Sequence, residues 1–406
     1  AFKFTSQGTP VGTDNFHATP DHLLSFFGRA NYSLLNGKYL FTTTLRTDGS
    51  SKFMGSNRWG YFPSVAAGWR LSEENFLNGI EWLQNLKFRI SYGLAGNNNI
   101  PTGQTRTELT SSNTSMLPFT TSYWSTGSIM TNEELKWETT TTRNVGLDFG
   151  FLNGRINGNI DAYFNTTDDL LIRFPIKGAG YAYQYRNIGS TQNKGIEFLL
   201  NAIAFDRPNF GLDLSFNISI NKNKVTSLGG LDQITAYSSW ASTEIDYDYI
   251  VQVGQPLGQI YGYVNDGRYA ATDFTLQGDT WVANEGVIDN SYLAGVGWGP
   301  GAVKLKDLDE NGKIEATGDR KVLGSTLPLA LGGFSINTRF YGFDINANFN
   351  YTYGNKILNV DKGLYTSTGK YRYLNLLTSM DSKHRWRSID EQGNRITDIN
   401  SLTEIN

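Results

Sequence analysis

The sequence predicts an all-β fold, an antiparallel transmembrane β-barrel of which this chain supplies about ten strands. Three observations predict it. Apolar and polar residues alternate with period two over segments about ten residues long, which suits a tilted strand crossing the hydrocarbon. Short turns and long polar connections take turns along the chain. Aromatics make up 14% of residues and glycines number 44, yet mean hydropathy is −0.37. A barrel accommodates both, because alternate side chains face lipid and a wet interior.

The alternation is clearest in three places. Leu212, Leu214, Phe216, Ile218 and Ile220 are interleaved with Asp213, Ser215, Asn217, Ser219 and Asn221. Phe343, Ile345, Ala347, Phe349, Tyr351 and Tyr353 are interleaved with Asp344, Asn346, Asn348, Asn350 and Thr352. Ile156, Ile160, Ala162 and Phe164 stand against Asn157, Asn159, Asp161 and Asn165. Extended to the whole chain, the pattern predicts strands near 24–35, 38–47, 61–71, 84–94, 135–150, 155–166, 188–203, 209–221, 330–340 and 343–353. Asn36-Gly37 and Asn153-Gly154 are tight hairpin signals, since both residues tolerate positive φ. Asp206 to Asn209 and Tyr341-Gly342 are equally short. Roughly 95–133, 167–187, 222–328 and 354–406 are long and polar, and are expected on the extracellular side of one partial barrel domain spanning 1–406. Every short turn then falls on the same side, a parity that a soluble sandwich has no reason to keep.

Composition removes several chemistries. With no cysteine there is no disulfide framework, thiolate metal site or cysteine nucleophile. His17, His22 and His384 are too few and scattered for a zinc cluster or a Ser-His-Asp triad. Net charge is −3 with both signs interspersed, so nothing points to nucleic acid. No leader of charged-then-apolar type opens the chain at Ala1, so any signal peptide is expected outside it.

Residues 28–76 read GRANYSLLNGKYLFTTTLRTDGSSKFMGSNRWGYFPSVAAGWRLSEENF, and further motifs follow in register: LKWETTTTRNVGLDFGFLNGRI (135–156), DAYFNTTDDLL (161–171), NIGSTQNKGIEFLL (187–200), GQPLGQIYGYVNDGRY (254–269) and VKLKDLDENGKIEATGDRKVLGSTLP (303–328). Together they resemble SusC/RagA-type TonB-dependent outer-membrane transporters over nearly all of 22–359. The resemblance implies a barrel of about 22 strands around an N-terminal plug, the size of the plugged transporters, with the plug expected outside this chain. It implies residence in the outer membrane as an integral barrel, in contact with its lipid. It implies import of a bulky nutrient, a glycan or oligosaccharide first and a peptide second, with no cofactor required and no enzymatic step. The implied partners are a SusD-like surface lipoprotein over the extracellular loops and the TonB-ExbB-ExbD machinery acting through the plug.

Most motif residues read as structural. Asp48-Gly49-Ser50-Ser51 is expected to shape an extracellular hairpin. Trp59, Tyr61, Phe62 and Trp69 suit the aromatic girdles at the membrane interfaces. Glu73 to Phe76 are expected to form a short periplasmic turn of helix. Asn193, Lys194 and Glu197 are expected to line the lumen or touch the plug.

One motif carries chemistry of its own. Asp307, Asp309 and Asn311, with the carbonyl of Lys313 and then Glu315, match the first nine positions of a calcium loop. Gly312 supplies the sharp turn and Ile314 the apolar anchor. The pattern departs at its end, where Gly318 holds the closing position and the acid, Asp319, comes one residue late. A structural Ca²⁺ and a metal-free Asx-rich turn are both open. Tyr181, Tyr183 and Tyr185, and Tyr237 with Trp240, are aromatic loop residues that could pack on the partner lipoprotein or stack on sugar rings. Asp168-Asp169, and Glu244 with Asp246 and Asp248, are read as solvated loop acids. Two rivals remain from other classes: a secreted or surface β-protein that binds glycans without transport, and a β-rich polysaccharide hydrolase, which needs two acids facing each other across a cleft.

Overall fold

The computed structural model describes residues 21–77, 79–107, 109–116, 119–126, 129–176, 180–236, 247–278, 280–295, 298–366 and 375–380. No described helix is long and apolar enough to cross a membrane. The expected ten strands are present: β1 (Leu23–Leu34), β2 (Tyr39–Ser50), β3 (Trp59–Arg70), β4 (Leu83–Asn97), β5 (Glu138–Phe151), β6 (Ile156–Asp168), β7 (Ser190–Arg207), β8 (Phe210–Ser227), β9 (Ala330–Phe340) and β10 (Phe343–Tyr353). They make one sheet in chain order. The chain divides into two compact units, residues 1–215 with 339–342, and residues 216–338 with 343–406.

In the first unit the register explains the sequence pattern. Tyr32 pairs with Phe41, Phe41 with Ala67, Ala67 with Ile90, Ile90 with Val145, Val145 with Ala162 and Ala162 with Ile196. This row of apolar side chains crosses seven strands on one face. Among the described residues nothing covers it: Phe41 is 45%, Ile90 49% and Val145 44% exposed. The next residue along each strand belongs to the other face, giving Asn31, Thr42, Ala66, Ser91, Asn144 and Tyr163. A water-soluble sandwich would bury the first row. Lipid is the solvent in which it can stay on the outside.

The short turns run through a left-handed backbone, which their Asn and Gly residues accept readily and into which Leu35, Leu152 and Tyr341 are carried with them. Leu35, Asn36 and Gly37 have φ of 49°, 57° and 89°, and Leu152, Asn153 and Gly154 have 56°, 59° and 79°. Tyr341-Gly342 closes β9 to β10 in the same way, with φ of 46° and 88°.

Buried apolar residues gather at the end of the sheet where the long connections lie. Phe53, Phe62, Ile100, Leu135 and Trp137 form one cluster, with Phe53 and Phe62 rings each 5.5 Å from Trp137. A Cβ at Gly96 would collide with the Phe62 ring, so glycine there gives the ring its space. Phe62 is therefore no girdle residue. It follows Tyr61 on an extended strand and must point the opposite way, to the buried side, while Trp59, Tyr61 and Trp69 stay exposed.

Two further expectations are corrected. Asp48, Gly49 and Ser50 belong to β2 and pair with β1, so the turn starts only at Ser51. Asp48 stays extended because Arg46 Nε donates to its carboxylate at 2.8 Å, which replaces the local turn bonding that Asp would otherwise seek. Lys194 does not share a face with Asn193 and Glu197, because one residue on a strand changes the side; it pairs with Phe164 on the apolar face.

The connection from β3 to β4 begins with a 3₁₀ turn at Leu71–Glu73, which starts two residues earlier and ends three residues earlier than expected. Its anchor is Glu74. Trp69 Nε1 donates to Glu74 Oε1 at 3.0 Å, the Tyr39 hydroxyl donates to the same oxygen at 2.8 Å, and Lys38 Nζ reaches Oε2 at 3.3 Å. These bonds, the one from Trp69 foremost, hold the Glu74 carboxyl below the usual carboxylate range. A depressed folded pKa stabilises the fold above the unfolded value of about 4.3 and loses that contribution as pH falls through the folded value. In urea titrations of the protein in detergent, the wild type is expected to exceed Glu74→Gln in stability at about pH 6 and to lose that advantage towards about pH 3. A constant gap across that range would show that the carboxylate is not the anchor.

Candidate functional site

The polar face of the first unit carries a connected set of charges. Lys87, Arg89, Asp148 and Asp161 come from β4, β5 and β6 and lie on the same side because of their register. Arg89 makes a forked contact with Asp148, from Nε at 2.9 Å and Nη2 at 2.7 Å, and its Nη2 also donates to Asp161 at 3.0 Å. Lys87 Nζ stands 3.6 Å from Asp148. A planar guanidinium suits this geometry, since its fixed fork can serve two carboxylates at once. Around it are Asn144, Asn159, Asn165 and Thr142, all on polar-face positions. A wall of short amides, hydroxyls and neutralised charges is suited to a hydrated passage. It is not a hydrolytic pair: Arg89 lies between Asp148 and Asp161, where a glycosidic oxygen and a water would have to sit.

Above this wall the aromatic loop forms a hairpin, Leu171–Pro175 against Tyr183–Asn187. Residues Ile129–Met130 add to it in parallel at Tyr183 and Gln184. The Arg173 guanidinium lies 3.5 Å from the centre of the Tyr183 ring, and Arg186 lies 4.8 Å over Phe174. Asn132 Nδ2 donates to the Tyr185 carbonyl at 3.0 Å, and Tyr185 packs against the Phe53–Trp137 cluster. Tyr185 thus holds the hairpin to the core, and one face of Tyr183 is covered by Arg173. Tyr181 precedes the second strand of the hairpin and is half-buried. Tyr237 and Trp240 lie outside the described residues, as do Glu244 and Asp246. Asp169 pairs with Lys136 at 2.7 Å, as a solvated loop acid would.

The second unit contains the acid-rich turn. It is built on a small domain within the long connection: a four-stranded sheet of Gln233–Ala236, Tyr249–Gln252, Gln259–Tyr263 and Arg320–Ser325, beside a packed group of Tyr269, Phe274 and Trp298. Ile314 is fully buried, and its N–H donates to the Asp289 carbonyl at 2.8 Å. Asp307, Asp309 and Asp319 bring carboxylate oxygens within 4.8 Å of one another. Asp319, the late acid, is fully buried and joins the set. Gly318, at φ 107°, makes the extra residue harmless, since a Cβ there would strike the Asp309 carboxylate. Glu315 is exposed and is not one of the three; its N–H instead donates to Asp319 at 2.7 Å. Asn311 accepts from the Lys313 N–H at 2.8 Å.

The carboxylates already serve the loop. Asp307 accepts the N–H groups of Glu310 and Gly312, each at 2.7 Å, and Asp319 accepts that of Leu308 at 2.8 Å. Burial works against ionisation of Asp307, and the amides of Gly312, Glu310 and Asn311 outweigh it, so its carboxyl lies below the usual range. Each oxygen keeps a second lone pair, so the arrangement has oxygen donors to offer a hard cation.

A family model described as TonB dependent receptor-like, beta-barrel, matches residues 2–308. The chain belongs to the TonB-dependent receptor β-barrel family. The TonB-dependent receptor SusC of Bacteroides thetaiotaomicron is 39% identical over 338 residues, which are 81% of this chain and 31% of that protein. TonB-dependent receptor P3 of Formosa agariphila is 34% identical over 346 residues, 83% of this chain and 32% of that one. Among solved structures, the RagAB peptide transporter matches with a TM-score of 0.70 at 24% identity, over 96% of this chain and 40% of that one, which supports the fold. The chain spans about a third of the length of the curated relatives it matches. Membership in the TonB-dependent receptor family accounts for the exposed apolar row: family members are outer-membrane barrels.

The charge set around Arg89 does not stand out in the sequence. The signal was there, since Lys87, Arg89, Asp148 and Asp161 all occupy polar positions of their strands. That they meet depends on the pairing between strands, which alternation alone does not fix.

Proposed function

We propose that this chain is barrel wall from an outer-membrane importer that takes up a bulky nutrient, a glycan first and a peptide second, driven by TonB and working with a SusD-like surface lipoprotein. The observation that carries it is the division of faces in β1 to β7, apolar and exposed on one side, polar and charge-paired on the other. The family and the 39% identity to a TonB-dependent receptor support the same reading. In it, the acid–base set around Arg89 lines the passage, and the long connections meet the cargo and the lipoprotein. Tyr181 and Tyr183 are the described aromatics that would contact the lipoprotein, with Tyr237 and Trp240 in the same role. A glycan-binding surface protein without transport has no use for an exposed apolar face on consecutive strands.

The full-length protein purified from its own outer membrane, followed by mass spectrometry, is expected to require detergent and to carry a lipoprotein and a bound oligosaccharide or peptide. A protein soluble without detergent and isolated alone would refute the proposal.

For the acid-lined turn we propose a structural cation, Ca²⁺, held by Asp307, Asp309 and Asp319. Calorimetric titration with calcium chloride is expected to give binding heat in the wild type and none in Asp307→Ala. Identical traces would leave an Asx-rich turn closed by its own amides.

A further inference from the structure

The apolar face has an upper border, and the border is cationic. Along β5 that face runs Phe151, Phe149, Leu147, Val145 and then Arg143, followed by Thr141 and Thr139. Along β7 it runs Leu200, Phe198, Ile196 and then Lys194, followed by Gln192. The register sets both cations level: Arg143 and Lys194 each pair with Phe164 of β6, one from either side, and Arg143 also pairs with Tyr92 of β4. This level lies towards the long connections, away from the turn at Asn153-Gly154.

Charge on the lipid side of a barrel is costly unless something receives it. On the polar face the cations of β4 are met by acids, Lys87 by Asp148 and Arg89 by Asp148 and Asp161. Arg143 and Lys194 make no ion pair among the described residues. The Arg143 guanidinium is instead held between two rings, 5.8 Å from the centre of Tyr92 and 5.5 Å from that of Phe164. The rings fix its position and leave its N–H donors, which a guanidinium offers in a planar fork, for a partner outside the protein. Beneath it a groove of about 410 Å³ is bordered by Ile90, Tyr92, Val145, Ala162 and Phe164. A second groove, of about 480 Å³, adjoins it across Ile90 and Tyr92. A cation pair at the head and apolar channels below match one kind of occupant, an amphiphile with acyl chains and an anionic phosphate.

We propose that Arg143 and Lys194 bind the phosphate of an outer-leaflet lipid whose acyl chains lie in the grooves around Ile90 and Tyr92. The site anchors the barrel at a defined depth and orientation. The proposal rests on the reading that this face meets lipid.

The test uses the full-length protein in neutral phosphatidylcholine nanodiscs doped with diphosphorylated lipid A or with the same lipid after removal of its phosphates, read by native mass spectrometry. The wild type is expected to retain the phosphorylated lipid at least about tenfold better than the dephosphorylated one, as charge-assisted bonds to phosphate require. Arg143→Gln with Lys194→Gln is expected to abolish that preference, and inorganic phosphate alone is expected not to bind. Equal retention of the two lipids by the wild type overturns the proposal, and that comparison needs no variant to assemble. An unchanged preference in the double variant overturns it as well, as does inorganic phosphate binding as well as the lipid. A protein that assembles only in lipid yet ignores the phosphate would sink this site and leave the membrane reading intact.

Discussion

The register between neighbouring strands is the constraint on which everything else depends. A slip of one residue in a period-two element exchanges its two faces completely. Were β5 to slip by one, Val145 and Leu147 would enter the polar wall, and Asn144 and Asp148 would meet hydrocarbon. Arg89 would lose its fork to Asp148. The devices that prevent this lie at different heights. Leu152-Asn153-Gly154 closes the β5–β6 hairpin with three consecutive left-handed residues. The Arg89 fork ties β4 to β5 and β6 near the middle. Phe62 and Trp137 pack the far end, where the long connections begin.

The same constraint explains what the sequence made legible. All ten strands were readable, because a face exposed to lipid must be apolar at every second residue, and the eye can follow that. Several strand ends were not. β4 continues to Asn97, β7 to Arg207 and β8 to Ser227, well past the expected ends. Beyond the hydrocarbon both faces of a strand can be polar, as in Asn221-Lys222-Asn223-Lys224, so the ladder continues after the alternation has vanished. Residue type alone puts Phe62 on the wrong side, although its neighbour Tyr61 fixes the parity. Asp48-Gly49 read as a turn by composition, and only the Arg46 contact shows why it stays extended.

The acid-rich turn shows a different limit. Spacing placed the closing acid one residue late, at Asp319, and the chain absorbs the extra residue through the left-handed backbone of Gly318. Three acids therefore converge although the motif departs from the pattern at its closing position. Glu315, which the pattern favoured, points to solvent and offers only its amide. Ligand sets depend on where side chains end up, and a one-residue shift in a loop redirects them more than it changes the motif.

Placed together, these features describe a wall with two solvents. The outer face is apolar with a cationic border, and the inner face is a row of amides, hydroxyls and paired charges. No cysteine lies among these 406 residues, so single cysteines can be introduced here once any elsewhere in the full-length protein are replaced by serine. Spin labels at consecutive β5 positions from Asn144 to Phe149, in the full-length protein in lipid, report access to oxygen, which concentrates in hydrocarbon, and to a water-soluble nickel chelate. A strict two-residue oscillation is expected, with oxygen favoured at Val145, Leu147 and Phe149 and the chelate at Asn144 and Asp148. Equal access to the chelate on both faces, or exclusion of both reagents from Val145 and Leu147, would contradict it.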